Sequence, residues 1–285
     1  MKLLEEVSTL KPGFISITGG EPLLRRDLFS LFEYAGSLGM NVGMVTNGYF
    51  LGDDVAKMLS RLEVYVSLSF DAATKETCET LRGEGTWDRV MAAAERLRSN
   101  GVEFNPVMTL TSLNLGEAGE FVRLASTLGA DHAALIPVIP SGNASKSLLP
   151  NPAHLALAIK DVENVADEAG FPVSLWCTPF AKAIVHSPYV YPGGCSNLSM
   201  DLDPVGNVLL CDVLDFKLGN ILEDGGKVAW QKMRSSQLYR SLCDPSRLSG
   251  KCAACKFRDV CMGGCRARAY LTTGSFFNPD PLCPM

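Results

Sequence analysis

The sequence predicts an α/β fold built around a parallel sheet, because two kinds of segment alternate along it. Short apolar runs typical of buried strands are followed by longer amphipathic stretches typical of helices. Glycines stand after three of these stretches, where helix C-caps are expected. The chain has 285 residues, of which 47% are hydrophobic, and this is sufficient for one large α/β domain and a smaller second one.

The alternating part of the chain yields five predicted strands and four predicted helices. The strands are residues 14–17, 42–45, 64–68, 104–110 and 133–138. The helices are residues 2–10, 27–38, 87–100 and 115–128, and the C-cap glycines are Gly39, Gly101 and Gly129. Because parallel strands need a crossover connection, helices between strands favour a parallel sheet over an antiparallel one.

Composition and charge exclude several classes of function. The net charge of −5 provides no overall positive field for a nucleic-acid backbone. No apolar run reaches the roughly 18 residues that a membrane-spanning helix needs, and the first ten residues lack the basic-then-apolar pattern of a signal peptide. We therefore expect a cytoplasmic protein without nucleic-acid or membrane partners.

Polar or glycine-rich segments follow the predicted strands. Each one alone fits an ordinary turn between a strand and a helix. Parallel sheets and barrels, however, bind ligands at the carboxyl ends of their strands, so that together the segments predict a ligand-binding rim. They are residues 18–22 (TGGEP), 46–48 (TNG), 69–71 (SFD), 111–112 (TS) and 140–143 (PSGN).

The chain changes character after residue 140. A helix over Pro152–Ala169 and a short apolar run at 173–176 lie in a proline-rich zone, and we predict domains at 1–190 and 191–285. Strands at 199–202 and 208–210 then flank the turn Asp203-Pro204-Val205-Gly206, which predicts a hairpin. A helix is predicted over residues 228–242.

Ten cysteines are present, and most lie near the C-terminus. The tail has the spacing Cys252-x2-Cys255-x5-Cys261-x3-Cys265-x17-Cys283, and Cys195 and Cys211 bracket the predicted hairpin. A zinc site is the simpler interpretation, because a CxxC pair and two more thiolates make a tetrahedral site. Iron–sulfur clusters are favoured because seven thiolates exceed one zinc site, no histidine lies nearby, and Gly263-Gly264 allows backbone amides close to sulfur.

The segment Gly19-Gly20-Glu21-Pro22 directly follows the first predicted strand. Two glycines allow a ligand to lie against bare backbone, and the adjacent carboxylate suits a cationic group such as an ammonium. A phosphate would be repelled. The chain contains no P-loop, Rossmann GxGxxG, GxSxG or HExxH motif.

Several segments together resemble a known family. Residues 18–23 (TGGEPL), 46–48 (TNG), 67–71 (SLSFD) and 81–83 (LRG) are similar to the core of radical S-adenosylmethionine enzymes. Gly206-x4-Cys211 and the cysteine tail resemble the SPASM extension, which holds two auxiliary [4Fe–4S] clusters in that family. The resemblance covers nearly the whole chain. It implies a partial, open (β/α) TIM-like barrel that lacks its first strand, followed by a small cysteine-rich SPASM domain.

The resemblance also implies a binding site for S-adenosylmethionine. In the family, the GGEP-type loop binds the methionyl amino group, which here would fall to Gly19, Gly20 and Glu21, with Pro22 in the same loop. Residues at later strand ends contact the ribose and adenine. By resemblance these are Thr46, Asn47, Ser67, Ser69 and Asp71.

Two sets of cluster ligands are implied in the same way. Cys195, Cys211 and Cys265 would hold the first auxiliary cluster, and Cys252, Cys255, Cys261 and Cys283 the second. The first set lacks the fourth cysteine that some members have. Either its fourth iron is open, or Cys177 or Cys243 closes the site, and the remaining cysteines are expected to be packing thiols.

The family's CxxxCxxC loop, whose thiolates hold the catalytic cluster, has no counterpart before Cys78. In the family that loop follows the first barrel strand, so the resemblance implies an N-terminally truncated chain. As given, the chain is expected not to perform radical chemistry.

The function implied for the full-length form is modification of a peptide or tetrapyrrole substrate by hydrogen abstraction. Flavodoxin or ferredoxin would be the electron donor. The alternatives are a non-catalytic iron–sulfur module for electron transfer or binding, and a zinc-stabilised structural domain. No catalytic residue, individual substrate or oligomeric state is predicted.

Overall fold

The computed structural model describes residues 1–195 and 198–285. Its largest element is a seven-stranded sheet in which all neighbouring strands are parallel and strand order follows chain order. The sheet curls into a half-barrel, which confirms the predicted α/β partial barrel. The strands are β1 (Phe14–Ile17), β2 (Asn41–Thr46), β3 (Tyr65–Ser69), β4 (Phe104–Leu110), β5 (Ala133–Pro137), β6 (Val173–Leu175) and β7 (Val190–Pro192).

All five predicted strands are confirmed to within one residue at each end, and the apolar run at 173–176 forms β6. Strand β7 escaped prediction because it has only three residues and one of them, Tyr191, is 56% exposed. Its apolar pattern is therefore too short to stand out.

Helices connect these strands and continue into the C-terminal part. Among the described helices, none combines the length and the apolar character that a bilayer-spanning segment needs. They are α1 (Lys2–Ser8), α2 (Leu28–Ser37), α3 (Asp53–Arg61), α4 (Lys75–Arg82), α5 (Thr86–Ser99), α6 (Ala118–Thr127), α7 (Pro152–Ala169), α8 (Ile221–Asp224), α9 (Gly226–Ser235), α10 (Gln237–Leu242), α11 (Arg258–Cys261) and α12 (Arg266–Thr273).

The predicted helical segment around residues 228–242 is helical on both sides of Ser236, where the chain breaks into α9 and α10. That residue has extended backbone (φ −60°, ψ 140°), and its hydroxyl accepts a hydrogen bond from the Tyr239 backbone N–H at 3.2 Å. Serine favours such N-cap positions over helix interiors. The apolar periodicity continues through the break and conceals it.

A second, three-stranded antiparallel sheet follows β7, with the order β10-β9-β8. Its strands are β8 (Asp201–Leu202), β9 (Asn207–Cys211) and β10 (Leu214–Asn220). The predicted hairpin is confirmed, since Leu202 pairs with Val208 across the turn. Strand β10 extends the predicted hairpin to three strands.

The main core lies between the half-barrel and its helices. Alternation along β3 illustrates how it forms, because Val66 and Leu68 are fully buried whereas Ser67 and Ser69 are only half-buried on the other face. Burying each large apolar side chain stabilises the fold by about 1.5–3 kcal/mol. The inner face of the half-barrel is thereby left for polar residues.

Helix α1 packs against the C-terminal part of the chain. Leu3 and Val7 contact the cluster formed by Val208, Ile221 and the residues around them. The Gly226 backbone N–H donates to Glu6 Oε2 at 3.0 Å. Because Leu4 and Val7 also pack against the main core, α1 contacts both regions, and the predicted division at residue 190 stays a prediction.

A fully buried ion pair fastens α12 to the sheet. Arg268 Nη1 lies 2.6 Å from Asp280 Oδ2, and both side chains have no exposed surface. The same guanidinium donates to the backbone oxygens of Pro137 (2.9 Å) and Val138 (3.1 Å) at the carboxyl end of β5. One side chain thus joins the half-barrel to the cysteine-rich tail.

We expect Asp280→Asn to lower the free energy of unfolding by about 3–5 kcal/mol, because the substitution leaves the Arg268 charge buried without its carboxylate. Denaturant unfolding of the purified chain measures the change. The matched control is Glu95→Gln, which breaks the exposed pair of Glu95 with Arg98 (side chains 56% and 54% exposed) and should cost at most about 1 kcal/mol. Equal effects of the two substitutions would contradict the role given to the buried pair.

Candidate functional site

The loop after β1 presents bare main chain at the carboxyl edge of the sheet. Gly19 has φ of +152°, in the range that favours glycine. A Cβ atom built on Gly19 or on Gly20 would meet no atom within 4 Å, and both residues are exposed. A ligand can therefore approach the backbone of both residues.

Glu21 joins this loop to the end of β2. Its Oε1 accepts hydrogen bonds from Thr46 Oγ1 at 2.7 Å and from the Leu23 backbone N–H at 3.1 Å. Its Oε2 accepts from the Asn47 backbone N–H at 2.9 Å. Since each carboxylate oxygen has about two acceptor positions, Oε2 retains one for a ligand. Contact of Glu21 with an ammonium group stays a prediction. The structure adds a second role for Glu21, because its hydrogen bonds hold the loops after β1 and β2 together.

The turn after β2 is fixed before any ligand arrives. Thr46 is 2% exposed, and its hydroxyl accepts a hydrogen bond from the Gly48 backbone N–H at 3.1 Å. Gly48 has φ of +75°, and a Cβ there would lie 2.9 Å from Leu68 Cδ1. Glycine is therefore required at this position. Asn47, which is exposed, is left at the rim.

Ser67 and Asp71 were expected to contact the adenosyl part. Their hydrogen bonds described here join residues other than Glu21. Ser67 Oγ donates to Asn105 Oδ1 at 2.9 Å. Asp71 Oδ1 accepts from the Thr109 backbone N–H at 2.7 Å, and Asp71 Oδ2 accepts from Arg82 Nε at 2.6 Å. Asp71 therefore ties together β4 and α4, a structural role that the sequence did not indicate.

The remaining two residues of the expected site lie at the same rim. Ser69 ends β3 and is half-buried, and Pro22 is a buried residue in the short turn that Glu21 caps. The structure thus brings Glu21, Thr46 and Asn47 into one hydrogen-bonded unit. Ser67, Ser69 and Asp71 line the neighbouring strand without joining that unit through the bonds described above.

Four cysteines form what we call the first cysteine group: Cys177, Cys195, Cys211 and Cys265. The Cys177 and Cys265 thiols are direct neighbours, and the interaction between them raises the pKa of Cys177 and lowers that of Cys265. Crowding by protein atoms, together with the charge of Cys265, raises the pKa of Cys195, although the residue as a whole reaches the surface. Burial raises the pKa of Cys211, and the charge of Cys195 adds to this effect.

Strand order explains why Cys177 belongs to this group. Cys177 follows β6 and Cys195 follows β7, and these two strands are parallel neighbours, so the chain leaves them side by side. Cys177 and Cys211 also pack with Cys265 in one apolar cluster. Of the two candidates for a fourth ligand, the structure brings Cys177 to the other three.

The second cysteine group consists of Cys252, Cys255, Cys261 and Cys283, which line a single cavity. Burial raises the pKa of Cys261 to about 11, and the backbone N–H groups of Gly264 and Gly263 oppose that rise. The Gly264 N–H also donates to the Cys261 backbone oxygen at 3.2 Å, and a hydrogen bond from these amides to cluster sulfur stays a prediction. The charges of Cys283 and Cys255 add to burial in raising the pKa of Cys252.

Two cysteines have other surroundings. Cys78 is fully buried in the main core and has the environment of a packing thiol. Cys243 is exposed at the end of α10, where it interacts with the Tyr239 side chain.

The donor sets fit iron–sulfur clusters in number and type, because a [4Fe–4S] cluster takes four thiolates. Among the described residues, no three His, Cys, Asp or Glu side chains come close enough together to hold one metal ion.

Known proteins resemble this chain over nearly its whole length. Residues 2–125 match the model of the Radical SAM superfamily. The chain is 29% identical to an AdoMet-dependent heme synthase of Methanosarcina barkeri, over 98% of this chain and 84% of that protein. It is 30% identical to the mycofactocin maturase MftC of Mycolicibacterium smegmatis, over 99% of this chain and 73% of that protein.

A solved structure, that of Streptococcus suis SuiB bound to the precursor peptide SuiA, shares the fold. Its TM-score is 0.76 at 16% sequence identity, and the match covers 99% of this chain and 69% of that one. On the strength of the superfamily match and of the identity along nearly its whole length to the maturase, the chain belongs to the radical SAM superfamily of enzymes.

Proposed function

We propose that this chain is a radical SAM enzyme of the SPASM class, with two auxiliary [4Fe–4S] clusters in its C-terminal region. The observation that carries the proposal is the sorting of eight cysteines into two groups of four. Cys177, Cys195, Cys211 and Cys265 would hold the first cluster. Cys252, Cys255, Cys261 and Cys283 would hold the second.

S-adenosylmethionine would bind at the carboxyl edge of the half-barrel. The open backbone of Gly19 and Gly20 offers carbonyl groups to the methionyl ammonium, and the free acceptor position on Glu21 Oε2 adds a charged partner. Thr46 positions Glu21, and Asn47 lies at the rim beside it. Ser67, Ser69 and Asp71 lie further along the same edge, and of these the half-buried Ser69 is the best placed to touch the adenosyl part.

The substrate would be a peptide or a tetrapyrrole. The names of the relatives support both classes, because one relative is a heme synthase and the SuiB structure contains a precursor peptide. When bound, the auxiliary clusters would accept or relay the electron left on the product after hydrogen abstraction. A flavodoxin or ferredoxin would serve as the electron donor.

Catalytic competence of these 285 residues is a separate matter. Residues 1–77 contain no cysteine and therefore no CxxxCxxC triad for the cluster that cleaves S-adenosylmethionine. We propose that the chain of 285 residues binds S-adenosylmethionine but does not cleave it. A binding or electron-transfer role for the auxiliary clusters is the second candidate, favoured by the same observation.

Glu21→Gln should weaken binding of S-adenosylmethionine by roughly ten- to a hundredfold, because hydrogen bonds to a charged group contribute about 1.5–3 kcal/mol. The amide would also set a donor against one of the N–H groups that Glu21 now accepts from. Isothermal titration calorimetry measures the affinity. Glu33→Gln, which removes an exposed carboxylate paired with Arg61, is the control and should bind as the unaltered chain does. Unchanged binding by the Glu21 variant would remove this residue from the site.

Cys177→Ala should lower the iron content after anaerobic reconstitution from about eight atoms per chain towards four, because the first cluster loses a ligand. Cys243→Ala is the matched control and should retain all of the iron. Iron and sulfide assays with electron paramagnetic resonance provide the measurement. An unchanged iron count and spectrum for Cys177→Ala would show that it is not the fourth ligand. Zinc in place of iron in the unaltered protein would favour a structural domain instead.

Incubation of the reconstituted chain with dithionite and S-adenosylmethionine should release no 5′-deoxyadenosine, although calorimetry shows binding. The reason is the missing triad, since the eight grouped cysteines are all committed to the auxiliary sites. Liquid chromatography of the reaction products tests this. Release of 5′-deoxyadenosine would mean that one of the two groups holds a catalytic cluster, and the assignment of both groups as auxiliary would be wrong.

A further inference from the structure

Arg266, the first residue of α12, is a buried cation without a carboxylate. The residue is 7% exposed, and no ion pair is described for it in residues 1–195 and 198–285. Its neighbour Arg268 is also buried but is neutralised by Asp280. Buried charges in proteins are paired or hydrogen-bonded, because an isolated charge is costly to remove from water. Within the described part of the chain, Arg266 therefore has no carboxylate as a counter-charge.

The hydrogen bonds of Arg266 are also incomplete. Its Nη1 donates to the Phe276 backbone oxygen at 2.9 Å, and its Nη2 to the Leu242 backbone oxygen at 3.3 Å. Its Nε is buried and has no hydrogen-bond partner within the described part of the chain. Buried side-chain nitrogens are almost always paired, so that an orphaned N–H indicates a missing acceptor.

The position of Arg266 indicates where that acceptor lies. Arg266 directly follows Cys265 of the first cysteine group in the chain. Its guanidinium lies beside Gly263, which lines the cavity of the second group. Arg266 is thus adjacent to both groups, and its missing counter-charge corresponds to the thiolates that both clusters would require.

The adjacent backbone leaves room for this side chain. Gly263 has φ of +84°, and a Cβ at this position would lie 3.0 Å from Arg266 Nη1 and 2.5 Å from Leu248 Cδ2. Any larger residue would displace the guanidinium. The two glycines before Cys265 therefore serve the placement of Arg266 as well as the amides that face Cys261.

We propose that Arg266 is the shared counter-charge of the two auxiliary sites and makes both clusters easier to reduce. This inference rests on the proposed function. Reduction by one electron from dithionite or a ferredoxin-type donor adds one negative charge to a site that already carries four thiolates. A fixed buried cation stabilises that added charge, and an N–H donated to sulfur acts in the same direction. Arg266 is therefore a positioning and tuning residue.

The experiment compares three variants of the reconstituted chain in potentiometric titrations followed by electron paramagnetic resonance. Arg266→Met removes the charge and should lower the equilibrium constant for one-electron reduction about tenfold at both clusters, a shift of about 59 mV. Arg266→Lys retains the charge and should stay within about threefold of the unaltered chain. Arg123→Met is the control, because Arg123 lies on α6 outside both cysteine groups and its side chain is 48% exposed and screened by water.

The outcomes separate this inference from the proposed function. If the unaltered chain binds about eight irons and Arg266→Met leaves both potentials in place, the shared counter-charge is wrong and the proposed function stands. A shift at one cluster alone, or an equal shift in Arg123→Met, also overturns it. If the unaltered chain binds no iron, both the proposed function and this inference are wrong. Should Arg266→Met not load with iron, Arg266→Gln against Arg266→Lys gives the same comparison.

Discussion

The structure depends on one fully buried guanidinium, that of Arg268. It binds the backbone at the carboxyl end of β5 and the carboxylate of Asp280, whose other hydrogen bonds hold the backbone N–H groups of Cys265 and Leu282. Burial raises the pKa of Asp280 even beside Arg268, which shows how much desolvation offsets the attraction between them. The pair fixes the geometry of the fold, because Arg268 binds the end of β5 while Asp280 binds the backbone at Cys265 and Leu282. It thereby holds a member of the first cysteine group and the residue before Cys283 against the half-barrel.

The loops that follow the strands contain two carboxylates, those of Glu21 and Asp71. Both lie at the carboxyl edge of the sheet, but they have different roles. Asp71 is buried and binds Thr109 and Arg82, whereas Glu21 is only half-buried and adjoins open glycine backbone. A resemblance between motifs assigns both residues to one ligand, but their burial and surroundings make Glu21 the more accessible of the two.

Much of the fold could be predicted because local signals agreed with the final packing. Helix α7 has the predicted ends since Asn151 caps its start, Pro152 occupies the first turn and Gly170 closes it in the left-handed conformation. The break at Ser236 and strand β7 were not predicted, because the break is a single residue and β7 has only three residues. Of the two cysteine groups, the second has the members that the family resemblance implies. The membership of Cys177 in the first group is not fixed by that resemblance, because it arises from the adjacency of β6 and β7.

Helix α1 has a consequence for how the protein is made. The helix packs against the main core, and its apolar side chains Leu3 and Val7 are covered by α8, α9 and the second sheet, whose residues lie some two hundred positions later in the chain. These contacts form only after the later part of the chain has been synthesised. Closure over such a long stretch of sequence slows folding and lengthens the exposure of apolar surface.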